Sequence, residues 1–135
     1  MRVVVDTNVL FEGLNRRGVC GRVVDAWVLG SITACVSTAL ALEYEAVVTR
    51  GRAPAQQATA RRALQALLDR TEFVPITFSF RPQSPDPDDD LVIDCAVNAA
   101  APIVASNVRH FRGAAERLGF DLMTPAELVF ALGEV

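Results

Sequence analysis

Three consecutive β-branched residues, Val3-Val4-Val5, end abruptly in a carboxylate, Asp6. Branched side chains are stiff at χ1 and favour extended backbone. A strand that is apolar at every position shows no in-and-out alternation. Both of its faces must therefore be covered, as in a parallel sheet with helices on each side. Met1 to Val5 is accordingly read as a buried strand. A carboxylate at the end of such a strand is costly to bury unless something pairs with it.

The rest of the chain alternates in the same sense. Val9 to Leu14 suggests a short helix. Val19 to Leu29 has helical apolar spacing and stops at Gly30. Ile32 to Val36 is a second strand, and Ser37 or Thr38 can cap a helix running to about Arg50. Pro54 to Arg70 is a helix with proline in its first turn, and Glu72 to Ile76 a third strand. Arg81 to Asp89 reads as a loop. A helix over 88–100 turns Val92, Ala96 and Ala99 inward. Ile103 to Ala105 is a fourth strand, 113–118 a weaker helix, Asp121 to Met123 a candidate fifth strand, and Pro125 to Leu132 a last helix capped by Thr124. The expected architecture is α/β, three layers with a central parallel sheet of four to five strands, in one domain spanning residues 1–135.

Composition narrows the function. With 51% hydrophobic and 21% charged residues the chain is globular, and no apolar run approaches the ~20 residues of a membrane span. Cys20, Cys35 and Cys95 are odd in number, unpaired in spacing and apolar in surroundings, which fits core thiols in a reducing cytosol rather than disulfides or zinc. His110 is the one histidine, so a histidine-based metal centre is excluded. The net charge of −3 would argue against a nucleic-acid partner. All 13 basic residues are arginine, however, and five of the 16 acids lie between Asp86 and Asp94. Outside that cluster the chain is mildly basic, and the planar donor fork of arginine suits phosphate.

Sites in parallel α/β sheets form beyond the carboxyl ends of the strands. Asp6 lies at one such end, Glu43 within two turns of another, and Ser106 and Asn107 directly after the fourth strand. Asp90 opens the helix leading into that strand. Carboxylates gathered there would repel one another, and a divalent cation relieves the repulsion. Carboxylates without a Cys/His set point to Mg²⁺ or Mn²⁺ and to phosphodiester chemistry.

Four segments in order resemble PIN-domain ribonucleases: Asp6-Thr7-Asn8-Val9-Leu10 after the valines, Val36-Ser37 through Leu42-Glu43-Tyr44, Asp86-Pro87-Asp88-Asp89-Asp90 with Leu91 to Ala96, and Val104-Ala105-Ser106-Asn107 through Phe111. The ending Met123-Thr124-Pro125-Ala126-Glu127-Leu128 is similar to that of the PIN branch of toxin–antitoxin toxins. The resemblance implies that Asp6, Glu43 and Asp90 are the catalytic and metal-binding acids, with Thr7, Asn8 and Ser106 orienting them. The fourth family position is often aspartate; here it is Asn107, and some relatives place an acid three residues on, at His110. Asp94, one turn after Asp90, could compensate. Asp86, Asp88 and Asp89 are read as loop and helix-start acids near a positive helix end.

The implied activity is Mg²⁺- or Mn²⁺-dependent endoribonuclease cleavage, with Arg16, Arg17, Arg109 and Arg112 as contacts to flanking RNA phosphates. The implied biology is the toxin of a type II pair, held by a cognate antitoxin, cytoplasmic and homodimeric, with no membrane association. The alternative is a catalytically weakened PIN-fold module binding RNA or protein, which Asn107 favours. A strand ending in Asp also opens phosphotransferases with an aspartyl intermediate. Those need a second Asp two residues on and a lysine, whereas this chain has Asn8 and no lysine.

Overall fold

β1 (Arg2–Val5) lies at the centre of a five-stranded sheet of order β3-β2-β1-β4-β5, every pairing parallel. The outer strands are β2 (Thr33–Val36), β3 (Thr71–Phe73), β4 (Ile103–Val104) and β5 (Leu122–Met123). The structure is a computed structural model and describes residues 1–15, 18–80 and 84–133. Val3, Val4 and Val5 are fully buried, as their unbroken apolar run requires.

Seven helices complete the chain among the described residues: α1 (Thr7–Leu14), α2 (Gly18–Leu29), α3 (Thr38–Thr49), α4 (Pro54–Leu68), α5 (Pro87–Ala99), α6 (Arg112–Leu118) and α7 (Pro125–Ala131). The architecture is the expected three-layer α/β arrangement, with α1, α2, α3 and α4 packed on one another and α5 laid on β1, β2 and β4. None of the described helices is long and apolar enough to cross a membrane. Helix starts follow local chemistry. The Ser37 hydroxyl accepts from the Leu40 N–H at 3.1 Å, and Thr124 and Glu127 form a reciprocal capping box. Cys20, Cys35 and Cys95 are buried and free, as small core residues are.

Two boundaries differ from the sequence expectation. The loop foreseen through Asp89 ends sooner, because Asp86 is the N-cap of α5 and accepts from the Asp88 N–H at 2.9 Å, with Pro87 at the first helical position. β3 stops at Phe73 rather than Ile76. Pro75 lacks an N–H, and the chain beyond it is fastened to α5 by Asn98 instead of to the sheet.

The strand order places the topological switch between β1 and β4, since the chain winds from β1 towards β3 and then crosses back to β4. The carboxyl ends of β1 and β4 adjoin there, Val5 beside Val104, and the Asp6 N–H donates to the Val104 carbonyl at 2.9 Å. Crevices form at this point in open parallel sheets.

Candidate active site

Asp6 leaves β1 in extended backbone and becomes the N-cap of α1, one carboxylate oxygen accepting from the Thr7 N–H at 2.9 Å. Capping and site formation are thus both properties of one side chain. Asp6 faces a cavity of about 210 Å³ lined by Asp6, Thr7, Asn8, Glu43, Val47, Arg50, Asp86, Asp88 and Asp89. Five carboxylates from three elements meet in it. α1 supplies its cap, α3 supplies Glu43 with Arg50 at its C-terminal end, and the start of α5 supplies the rest.

Their protonation reflects the crowding. Burial, reinforced by the charges of Asp89 and Asp86, raises the Asp6 carboxyl to about 6. The Thr7 N–H and His110 pull in the opposite direction. Burial and Asp86 likewise raise Asp89, whose carboxylate accepts from the Ser84 hydroxyl at 3.3 Å. Glu43 is raised by burial and by Asp88, while Arg50 opposes the shift. Asp6, Asp89 and Glu43 are thus held above their ordinary range by desolvation and by like-charged neighbours.

The sequence reading placed the third acid at Asp90. Asp90 is buried but is not among the residues lining this cavity, whereas Asp89 is. The reason is helical periodicity. Asp90 lies with the buried positions of α5, which include Val92, Ile93, Asp94, Ala96 and Ala99, whereas Asp89, one 100° step away, is half-exposed and faces the cavity. Asp90 shares a face with Asp94, whose carboxylate accepts from the Ser79 hydroxyl at 2.9 Å, and both are buried. The capping signal Asp86-Pro87 was the clue to this register.

Thr7 and Asn8 line the cavity; Ser106 does not, and its hydroxyl lies 3.9 Å from the Cys20 sulfur. Asn107 is exposed, with its amide nitrogen 3.2 Å from His110 Nε2. Since His110 favours the charged forms of both Asp6 and Asp89, this turn borders the acids without adding a carboxylate. Arg109 and Arg112 are exposed nearby in the chain, Arg16 and Arg17 lie outside the described residues, and Arg50 is the cavity arginine that the sequence reading missed.

The donor set suits a hard divalent cation in kind: carboxylate oxygens from three elements, mutually repelling when ionised. Among the described residues no three His, Cys, Asp or Glu side chains already stand together closely enough to hold an ion. Binding there requires the carboxylates to draw inward. A larger cavity of about 360 Å³, between α1, α3 and α4, contains no acid, and Arg52 sits over the Phe11 ring beside it.

The fold has known counterparts. A chain in the crystal structure of VapBC2 from Rickettsia felis bound to a DNA fragment from their promoter superposes with a TM-score of 0.64 at 14% identity, over 92% of this chain and 98% of that one. A chain in the structure of FitAB bound to an IR36 DNA fragment gives 0.58 at 15% identity, over 93% and 95%. No curated protein matches in sequence. The family model described as PIN domain matches residues 2–109. The chain belongs to the PIN domain family.

Proposed function

We propose that this protein is a Mg²⁺- or Mn²⁺-dependent endoribonuclease, the toxin of a type II toxin–antitoxin pair, with Asp6, Glu43 and Asp89 as its principal acids. The observation carrying this reading is the meeting of Asp6, Glu43 and Asp89 in one cavity at the sheet's switch point. Asp86 and Asp88 add charge at its rim. A bound dication supplies Lewis acidity at a phosphate oxygen and raises the acidity of water. Asp6 and Asp89 are the residues that would hold the ion. Glu43, half-buried and raised above its ordinary range, accepts the proton of the attacking water at its carboxylate. Arg50, on the wall beside Glu43, binds the adjoining phosphate. Thr7 fixes the Asp6 carboxylate through its N–H.

The toxin assignment is supported by the ending Met123 to Leu128 and by the fold neighbours, which are named as VapBC2 and FitAB assemblies on DNA. The partner proposed for this chain is a small DNA-binding antitoxin. Its expected signature is a short adjacent reading frame whose product, co-expressed, relieves the growth arrest caused by this chain.

The enzymatic test is cleavage of single-stranded RNA with Mg²⁺ or Mn²⁺, comparing the native chain with Asp6→Ala, Glu43→Gln and Asp89→Asn. The expected result is a loss of at least ~10²-fold for Asp6→Ala and Asp89→Asn, and silence in EDTA. Cleavage that persists in chelator, or in both of those variants, rejects the reading. The Asn107–His110 contact, standing where the resemblance leads one to expect a fourth acid, favours a second reading as a non-catalytic RNA- or protein-binding module. Calorimetry separates the two, since a module shows no heat of Mn²⁺ binding at millimolar metal.

A further inference from the structure

The chain after β3 is a strap laid along α5, and its bonds give it a direction. The Asn98 amide oxygen accepts from the Thr77 N–H at 3.0 Å and the Thr77 hydroxyl at 3.1 Å, and its amide nitrogen donates to the Phe78 carbonyl at 2.9 Å. One turn earlier in α5, the Asp94 carboxylate accepts from the Ser79 hydroxyl at 2.9 Å. Further along the chain, the Ser84 hydroxyl donates to the Asp89 carboxylate at 3.3 Å. As the chain advances, its partners step back along the helix from Asn98 to Asp94 to Asp89. The strap therefore runs antiparallel to α5 and points at the end that carries the cavity acids. Asp94 and Asp89 stand about 7.5 Å apart along the helix axis, at a rise of ~1.5 Å per residue. Thr77 and Ser79 face the helix, so the alternate residues Phe78 and Phe80 turn outward, 46% and 52% exposed. Their ring centroids lie 5.8 Å apart, with the ring planes tilted by 54°.

We propose that Phe78 and Phe80 form a base-stacking subsite, on which two neighbouring bases of single-stranded RNA rest while the strand enters the acid cavity. The inference rests on the nuclease reading above and adds to it a recognition element. The course of the strap chooses the occupant. A strand lying on the two rings is led along α5 to Asp89, about two nucleotides away at a stacked spacing of roughly 3.4 Å. From Phe73 to Phe80 no residue is charged. The platform therefore takes bases by the π-face that every base has, and leaves the phosphates to Arg50 in the cavity. The tilt of the rings sets the form of RNA accepted. Bases lying flat on planes 54° apart cannot stack on each other, so the platform takes splayed, unpaired nucleotides and rejects a duplex. The bonds at Asn98 and Asp94 hold the strap in place before RNA arrives, which keeps the ordering cost of binding small.

The test measures the affinity of the full chain for a short single-stranded RNA in EDTA, and kcat and KM for cleavage of the same RNA in Mn²⁺. Phe78→Ala with Phe80→Ala should weaken binding ~10-fold or more and raise KM in step, with kcat within about twofold of native. Phe78→Trp with Phe80→Trp should keep native affinity. Phe78→Leu with Phe80→Leu, apolar but without a π-face, should bind as weakly as the alanine variant. On the native chain, RNA made abasic at consecutive positions should lose the same factor, a readout independent of variant folding, and a duplex of the same sequence should not compete. Native affinity in the alanine or leucine variant overturns the proposal, as does native affinity for the abasic RNA or a native chain that binds no RNA. A change of oligomeric state in the alanine variant with RNA affinity intact gives the face to a second copy and overturns it equally. Ring-dependent binding by a chain that cleaves nothing supports the platform and rejects the nuclease reading. Cleavage with unaltered KM in the alanine variant rejects the platform alone.

Discussion

The Tyr44 hydroxyl donates to the Val5 carbonyl in the protein interior. The two residues flank Glu43 and Asp6, so one buried hydrogen bond ties the helix that carries one acid to the strand that carries the other. Tyr44 is fully buried, edge-on to Trp27 at 6.3 Å, and Trp27 in turn donates from its indole N–H to the Leu67 carbonyl at 3.1 Å.

Tyr44→Phe keeps the ring and removes the donor, leaving a buried carbonyl short of a partner. The expected cost is about 1–3 kcal/mol of stability, measured by urea denaturation. Mn²⁺ affinity should fall as well, because Glu43 is no longer fixed relative to Asp6. A variant as stable as the native chain, with unchanged Mn²⁺ affinity, contradicts this role.

Asp89→Asn and Asp90→Asn distinguish two adjacent carboxylates. Asp89→Asn removes a cavity acid and should weaken Mn²⁺ binding by ~10-fold or more in calorimetry. Asp90→Asn alters a buried first-turn residue outside the cavity and should lower stability while leaving Mn²⁺ affinity within about twofold of native. The reverse pattern restores Asp90 as the ligand.

The Asp6 carboxyl stands at about 6 in the folded chain against an ordinary 3.8. Between those values the folded chain holds a proton that the unfolded chain has released, so stability falls as pH rises through that window. By this account the metal-free protein is about 2 kcal/mol less stable at pH 7 than at pH 4. Raised Asp89 and Glu43 act in the same direction. In EDTA, thermal melts should give a higher Tm at pH 5 than at pH 7.5. Asp6→Asn should flatten that difference and be the more stable chain at pH 7.5. Saturating Mn²⁺ at pH 7.5 should restore stability, by ~3 kcal/mol at a hundredfold excess over Kd.

Gly13 sits where α1 crosses α2. A Cβ there would lie 2.4 Å from Val24 Cγ2 and 2.5 Å from the Cys20 carbonyl oxygen. The second neighbour is backbone and cannot rotate away, so Gly13→Ala must push the helices apart, at about 1–3 kcal/mol by denaturant titration. Because Asp6 caps the same helix, Mn²⁺ affinity should decline too.

Ala100, after α5, adopts φ 53° and ψ 46°, the left-handed conformation that glycine takes without strain. Ala100→Gly should therefore stabilise the chain by about 0.5–1 kcal/mol, with activity unchanged. A loss of stability would show that the alanine side chain contributes packing that outweighs its backbone strain.

The sequence by itself determined the sheet and the strand ends beside which Asp6 and Glu43 stand. Unbroken apolar runs such as Val3 to Val5 have only one low-energy environment, a strand covered on both faces, and short strands alternating with capped helices have few arrangements. Asp6 and Glu43 were legible because each stands at a fixed offset from a strand's carboxyl end. The tertiary structure alone decided that Asp86, Asp88 and Asp89 line the cavity, since that depends on the rotation of α5 set by its packing on β1, β2 and β4. It also brought in Arg50 and bound the chain after Pro75 to Asn98. Those relationships join residues distant in sequence, and local propensity carries no information about them.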